Sequence, residues 1–331
     1  MLARTRVTES LLVLAATFTF MVAKPVLTHA ANWTKLSPAT SPSARSYPAM
    51  AYDPVSKKVV LFGGYGAGGF LNDTWTFNGK TWTKVKTQVA PPLRYMSSMG
   101  FDKRSAKLVM FGGLYRTGLR RDTWLWDGAT STWTQIQMKP SPPAAAGPML
   151  FSDPHSGGAI MFGGFNILKM IPNLHDTWRW TSTTWKKLHP ATSPYGRGWG
   201  VATLDPQRKN VVVTGGDGDT IRTDNTWTWD SKNWTQLSPA TQIQEVIGAG
   251  SAFDADLKMV VVFGGFAGND INQTWSWTGT NWVQLHPKKA PSPREGMGMA
   301  YDPVTHQVVL FGGELGTVKT LFGDTWSFSE R

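Results

Sequence analysis

Short apolar runs, each closed by two glycines, recur along this chain at nearly constant intervals. They cover 59–62, 108–111, 159–162, 211–214, 260–263 and 308–311, and the glycine pairs begin at Gly63, Gly112, Gly163, Gly215, Gly264 and Gly312. Successive pairs are 49, 51, 52, 49 and 48 residues apart. Runs this short, bounded by turn residues, predict strands buried on both faces. Each is followed by Thr-Trp and, in the first five, about eight residues later by a second Trp. In four repeats the third-strand Trp is followed two positions on by another, as in Trp124 and Trp126, which is the period of a strand. Sixteen of the seventeen tryptophans fall at such repeat positions, so their expected work is packing; Trp199 is the exception.

One repeat read closely gives four strands. Residues 294–302 form an inner strand of small residues. Asp302-Pro303 opens a turn, since an Asp side chain can bond back to the backbone and Pro presets φ. Val308 to Phe311 is the second strand, and Asp324 to Phe328 the third. The fourth is missing at the end of the chain and present at its beginning. Asn32-Trp33-Thr34-Lys35-Leu36 matches Thr81-Trp82-Thr83-Lys84-Val85 and its four later equivalents. The sequence therefore predicts an all-β, six-bladed propeller whose last blade is closed by the N-terminal strand, one strand from the start and three from the end. Such closure leaves no open sheet edge.

The glycine pairs, the Tyr52-Asp53-Pro54 type of turn and the paired tryptophans, six times in register, resemble the kelch superfamily over 33–330. The resemblance implies the propeller and leaves function open, because kelch-like propellers include interaction domains, a copper-dependent galactose oxidase and a sialic-acid mutarotase. The chain has no cysteine. Its resemblance to galactose oxidase thus stops at the propeller, since the Tyr–Cys crosslink of that copper site cannot form. Neither cofactor nor metal is expected.

Charge and the N-terminus add a compartment. Arg4 and Arg6 precede an apolar stretch from Leu11 to Ala23, and Thr28-His29-Ala30 ends in small residues. This layout predicts a signal peptide over 1–30, or an uncleaved anchor, ahead of a propeller over 31–331. The expected setting is secreted or extracytoplasmic, in a bacterial envelope. The formal net charge of +11 favours anionic partners. In an exported protein that points to an acidic glycan or acidic protein segment rather than nucleic acid, with the basic turns Lys57-Lys58, Lys103-Arg104 and Arg208-Lys209 available to an envelope surface. A monomer is expected.

The candidate site follows from the repeat. Counting eight residues back from each turn Asp gives Arg45, Arg94, Ala145, Arg197, Val246 and Arg294. The resemblance to kelch adaptor domains implies that the four arginines grip an anion at the channel mouth, where guanidinium forks bind carboxylate bidentately. A second reading has each arginine locking its own blade. Tyr65, Tyr115, Arg116, Trp199 and Arg222 join the expected site from the loops and from the region beside the channel. The longest loop, from Phe165 to His175, carries enough apolar residues to fold over the mouth. The expected function is an anion-binding interaction module. The alternative is a sugar-modifying enzyme similar to the mutarotase, with Glu245, Glu295 and Glu314 as its candidate carboxyls.

Overall fold

The computed structural model describes residues 31–116, 118–137, 139–166, 173–218, 224–244, 246–316 and 320–330. The leader-like segment 1–30, Arg222, Glu245 and the middle of the long loop lie outside them. The described chain forms six antiparallel sheets arranged as blades. Blade 6 has the order Asn32–Leu36, Thr325–Ser329, Gln307–Phe311, Gly298–Asp302 from outside in. Trp33 pairs with Phe328 and Leu36 with Thr325, so the N-terminal strand closes the last blade as its sequence match implies.

Alternation along each second strand decides which neighbour a residue meets. Val59 and Leu61 pack towards blade 6 with Val309 and Phe311. Val60 and Phe62 turn the other way, onto Leu108, Met110 and Trp133 of blade 2. A strand apolar at every position is what a sheet buried on both faces requires. All four side chains are wholly buried.

Three closed circuits tie the blades together. The outer circuit is formed by the fourth-strand tryptophans, each donating its indole N–H to the third-strand threonine of the preceding blade. Trp133 donates to Thr74 at 2.9 Å, Trp185 to Thr123 at 2.9 Å, Trp234 to Thr177 at 2.9 Å and Trp282 to Thr226 at 2.8 Å. Trp33 to Thr274 and Trp82 to Thr325, both 3.0 Å, complete the six. Thus the Thr of each Thr-Trp pair is an acceptor for the next blade. The same rings fill the space between sheets, as where Trp82 lies 5.2 Å from Phe311 of blade 6.

The second circuit explains the glycine pairs. The second glycine donates its N–H to a carbonyl of the strand entering the next blade, as Gly64 does to Arg94 at 2.9 Å and Gly313 to Arg45 at 2.9 Å. The first glycine has a positive φ, 65° at Gly63. A Cβ there would meet the Arg94 carbonyl oxygen at 2.7 Å. Only glycine satisfies both demands.

The third circuit is a collar around the channel axis. Tyr47, Met96, Gly147, Trp199, Gly248 and Gly296 all have φ between 48° and 65°. Each donates its N–H to the carbonyl of the collar residue before it, and Tyr47 closes the ring by donating to Gly296 at 2.6 Å. The large rings lie over the glycines: Trp199 covers Gly147, and Tyr47 covers Gly296 and Gly248.

Blade 6 differs where its third and fourth strands come from opposite ends of the chain. In blades 3 and 4 the turn between those strands sends Ser182 and Ser231 to the buried aspartates Asp102 and Asp153 of the preceding blade, each at 2.9 Å. Among the described residues, Asp254, the equivalent in blade 5, accepts just the amides of Asp256 and Leu257 in its own turn. Burial, with Asp256 and Glu330 nearby, pushes its carboxyl up to about 6.

Two outcomes follow from these contacts. Trp133→Phe, which keeps the ring but loses the bond to Thr74, should cost about 1 kcal/mol in denaturant unfolding, and Trp133→Ala about 3–5 kcal/mol. Asp254→Asn tests the seam. A raised carboxyl is protonated more readily folded than unfolded, so its ionisation removes stability as pH rises from about 4 through 6. The substitution should stabilise the protein by up to about 3 kcal/mol at neutral pH and by nothing at pH 4, read from unfolding at both.

Candidate functional site at the channel mouth

The residue after each arginine position pairs across strands with the first residue after each glycine pair. These pairs are Ser46 with Tyr65, Tyr95 with Leu114, Ala146 with Phe165, Gly198 with Asp217, Ile247 with Phe266 and Glu295 with Glu314. Directly opposed residues of an antiparallel pair share a face. The arginines, one position earlier, point the other way.

That alternation overturns the expected anion grip. Arg45, Arg94, Arg197 and Arg294 are wholly buried inside the blades. Arg94 donates to the Gly112 carbonyl at 3.0 Å and to both carboxylate oxygens of Asp122 at 2.7 Å. Arg45 makes the same fork to Asp73, and Arg294 to Asp324. Their backbones belong to the preceding blade, through bonds such as Arg94 N–H to the Leu71 carbonyl at 3.0 Å. Each arginine is therefore a clip between neighbouring blades. The aspartate also accepts the indole of the Trp two residues on, 2.7 Å for Asp122 and Trp124.

Occupancy of the clip varies from blade to blade. Blade 4 has Arg197 with Asn225 at 2.9 Å. Burial without a carboxylate there pushes the guanidinium down to about 10. Blade 5, with Val246 at the arginine position, has Gln273, which still accepts from Trp275 at 2.9 Å. Burial pushes the carboxyls of Asp73, Asp122 and Asp324 up, but the arginine forks outweigh it and hold them below the usual carboxylate range.

Of the remaining candidates, Tyr65, Tyr115 and Arg116 form one wall. Blade 1 extends its middle strands, Lys58–Gly66 and Gly69–Phe77, into a hairpin that lifts Tyr65 and Phe70 above the mouth. Tyr65 packs 5.2 Å from Phe70 and 5.7 Å from Tyr95, and Phe70 packs 5.0 Å from Tyr115. Arg116 and Arg120 lie over the Tyr115 ring at 5.5 and 5.2 Å, a favourable cation–π geometry. Tyr65 is 39% exposed, so the strip meets solvent. Trp199 belongs to the collar, 5.1 Å from Phe165. The long loop therefore reaches the mouth through Phe165, while its apolar residues 167–171 lie outside the described residues.

The other end of the wall is acidic. A cavity of about 510 Å³ is lined by Tyr65, Tyr95, Ser46, Glu295, Glu314 and Gly316, among others. Tyr47 donates to Glu295 Oε2 at 2.7 Å. Asp270, from the blade 5 loop, accepts the Gly316 amide at 3.0 Å. Burial pushes the Glu295 carboxyl up, and Asp270 and Glu314 push it further against the bond from Tyr47. Burial and Asp270 likewise raise Glu314, opposed by a bond from Ser46. The Tyr47 phenol is raised well above its ordinary value by burial and by these carboxylates.

The structure brings the expected Tyr65, Tyr115, Arg116, Glu295 and Glu314 to one mouth, together with Tyr47, Phe70 and Tyr95, which sequence reasoning did not name. The available signal was alternation: if Arg94 faces the blade, Tyr95 faces the mouth. The buried clip has a measurable consequence. Arg94→Ala should cost about 3–5 kcal/mol by leaving Asp122 without its partner, and Arg94→Met with Asp122→Leu should recover most of it, both read by chemical denaturation.

Residues 25–179 match the model of the KLHDC2/KLHL20/DRC7 kelch-repeats domain. No curated protein matches the chain. The matched segment runs from before the N-terminal strand to the third strand of blade 3, and the clip, crossing and collar recur beyond it. The protein is a six-bladed β-propeller of the kelch type.

Proposed function

We propose that this propeller is a binding module that seats a saccharide at the mouth between blades 1, 2 and 6. The observation that carries this reading is the solvent-facing strip of Tyr65, Phe70, Tyr95 and Tyr115 beside a cavity rich in hydrogen-bonding groups. Aromatic faces bury the apolar side of a sugar ring, while a few placed polar groups fix its orientation. Burial of the four arginines removes the reason to expect an anionic ligand there. Arg116 and Arg120 remain at the far end of the strip, where an acidic substituent could still be met. The general interaction role expected of the scaffold stands, with its site moved from the arginines to the wall beside them.

A second reading has its own support. Glu295 and Glu314 share one face of the mouth, and both carboxyls sit above their usual range. Carboxyls tuned upwards are the groups that exchange protons with a sugar near neutral pH. A mutarotase-like activity would use them as acid and base on a sugar held by the same strip.

One set of measurements addresses both readings. The chain from Ala31 is screened against neutral, acidic and basic oligosaccharides, and hits are quantified by calorimetry. Tyr65→Ala and Tyr115→Ala should each weaken binding about tenfold or more, with thermal unfolding little changed for the exposed Tyr65. Absence of any saccharide binding, or unchanged affinity in both variants, removes the site. Hits are then followed by NMR for anomer exchange, and a rate equal to the buffer rate removes the enzymatic reading.

A further inference from the structure

The strongest unexplained feature of the molecule is its acidic corner. Glu295 and Glu314 are directly opposed, each donating its backbone N–H to the other's carbonyl at 2.9 Å. Like charges in that arrangement oppose folding. Asp270 adds a third carboxyl. It is only 6% exposed, its Oδ2 is held by Gly316, and its Oδ1 is buried with no hydrogen-bond partner. A buried carboxylate oxygen left unpaired is costly. No ion pair to any of these three side chains occurs among the described residues, although buried or half-buried aspartates elsewhere pair with Arg45, Arg94, Arg179, Arg208 and Arg294.

Two of the three groups, Glu295 and Asp270, flank Gly316. A Cβ at that position would lie 2.7 Å from Glu295 Oε1 and 3.9 Å from Asp270 Oδ2. The glycine therefore keeps open the space between two carboxylates. Among the described residues no trio of carboxyl or imidazole groups is arranged to hold a metal ion. An ammonium group needs no such tight cage. It carries three donors on one charge centre and can reach acceptors several ångströms apart.

We infer that Asp270, Glu295 and Glu314 form an ammonium subsite, so that the saccharide taken at this mouth is an amino sugar with its nitrogen free. This rests on the saccharide reading above and narrows it. The sugar ring lies on Tyr65 and Tyr95, and the ammonium points past Gly316 to the three carboxylates. Its charge offsets the repulsion between Glu295 and Glu314 and is favoured by the field of the buried Asp270 carboxyl behind Gly316. An acetylated nitrogen is neutral and bulkier, and loses both contributions. Acidic sugars would meet like charge at this end.

The test compares three probes on the chain from Ala31 at near-neutral pH: glucosamine oligomers, the same oligomers fully N-acetylated, and glucose oligomers of equal length. Calorimetry should show glucosamine oligomers binding at least tenfold more tightly than either of the others, with the advantage shrinking in high salt. Asp270→Asn and Glu314→Gln should each reduce that ratio towards one. Tyr65→Ala should weaken all three probes together and leave the ratio standing. If N-acetylated or neutral oligomers bind as well as glucosamine oligomers, the ammonium subsite is wrong while the saccharide site survives. If no probe binds, both are wrong. Thermal unfolding of each variant separates a lost contact from a lost fold, and Asp270→Asn, isosteric and buried, provides the second route if Glu314→Gln fails to fold.

Discussion

Everything in this molecule depends on closing a ring of sheets that no single blade could stabilise. Each blade exposes two broad apolar faces, and only a neighbour on each side covers both. Apolar contact is non-directional, so it holds blades together without fixing how they are turned. Direction comes from the circuits of hydrogen bonds: tryptophan to threonine at the rim, glycine pair to crossing strand in the middle, and the collar at the axis. Because every bond of a circuit joins adjacent blades, the geometry of one interface constrains the next until the ring meets itself.

The arginine clip shows how such a circuit can tolerate variation. The backbone part, a glycine N–H to the crossing carbonyl, occurs in all six blades, including those with Ala145 and Val246 at the arginine position. The side-chain part occurs in four. Where the arginine is absent, the residue just before the third strand is Asp176, whose carboxylate meets Lys187 at 2.8 Å, or the neutral Gln273. A guanidinium buried to this degree needs its acceptors already in place, since desolvation otherwise outweighs what the pair returns. The arginine is kept with a polar partner, an aspartate or the neutral Asn225, or is dispensed with, and the propeller stays closed either way.

The mouth is where the sixfold pattern is broken. The six cross-strand pairs at the mouth occupy equivalent positions, yet they include a tyrosine beside a serine, an opposed pair of glutamates and two wholly apolar pairs. None of these side chains is needed to close the ring, so the pairs are free to differ. An extended hairpin in blade 1 raises the aromatic strip, while blade 6 supplies the acids from the neighbouring corner. The result is a cavity with a distinct aromatic wall and a distinct charged end on an otherwise repetitive scaffold.

The sequence alone determined the propeller, its six blades and the closure by the N-terminal strand, because these are set by local patterns repeated in register. Apolar runs, glycine pairs and paired tryptophans each carry their structural reason within a few residues. It also singled out Tyr65, Tyr115, Glu295 and Glu314, since loops after the glycine pairs must emerge on one face. It misplaced Arg45, Arg94, Arg197 and Arg294. Their recurrence fitted a ligand grip and a structural clip equally, and the partners that decide between them, Asp73, Asp122, Asn225 and Asp324, lie 28 to 30 residues away. Nor could local pattern bring Asp270 of blade 5 beside Gly316 of blade 6, or set Glu295 opposite Glu314. Those meetings depend on how adjacent blades turn against each other, which only the closed ring decides.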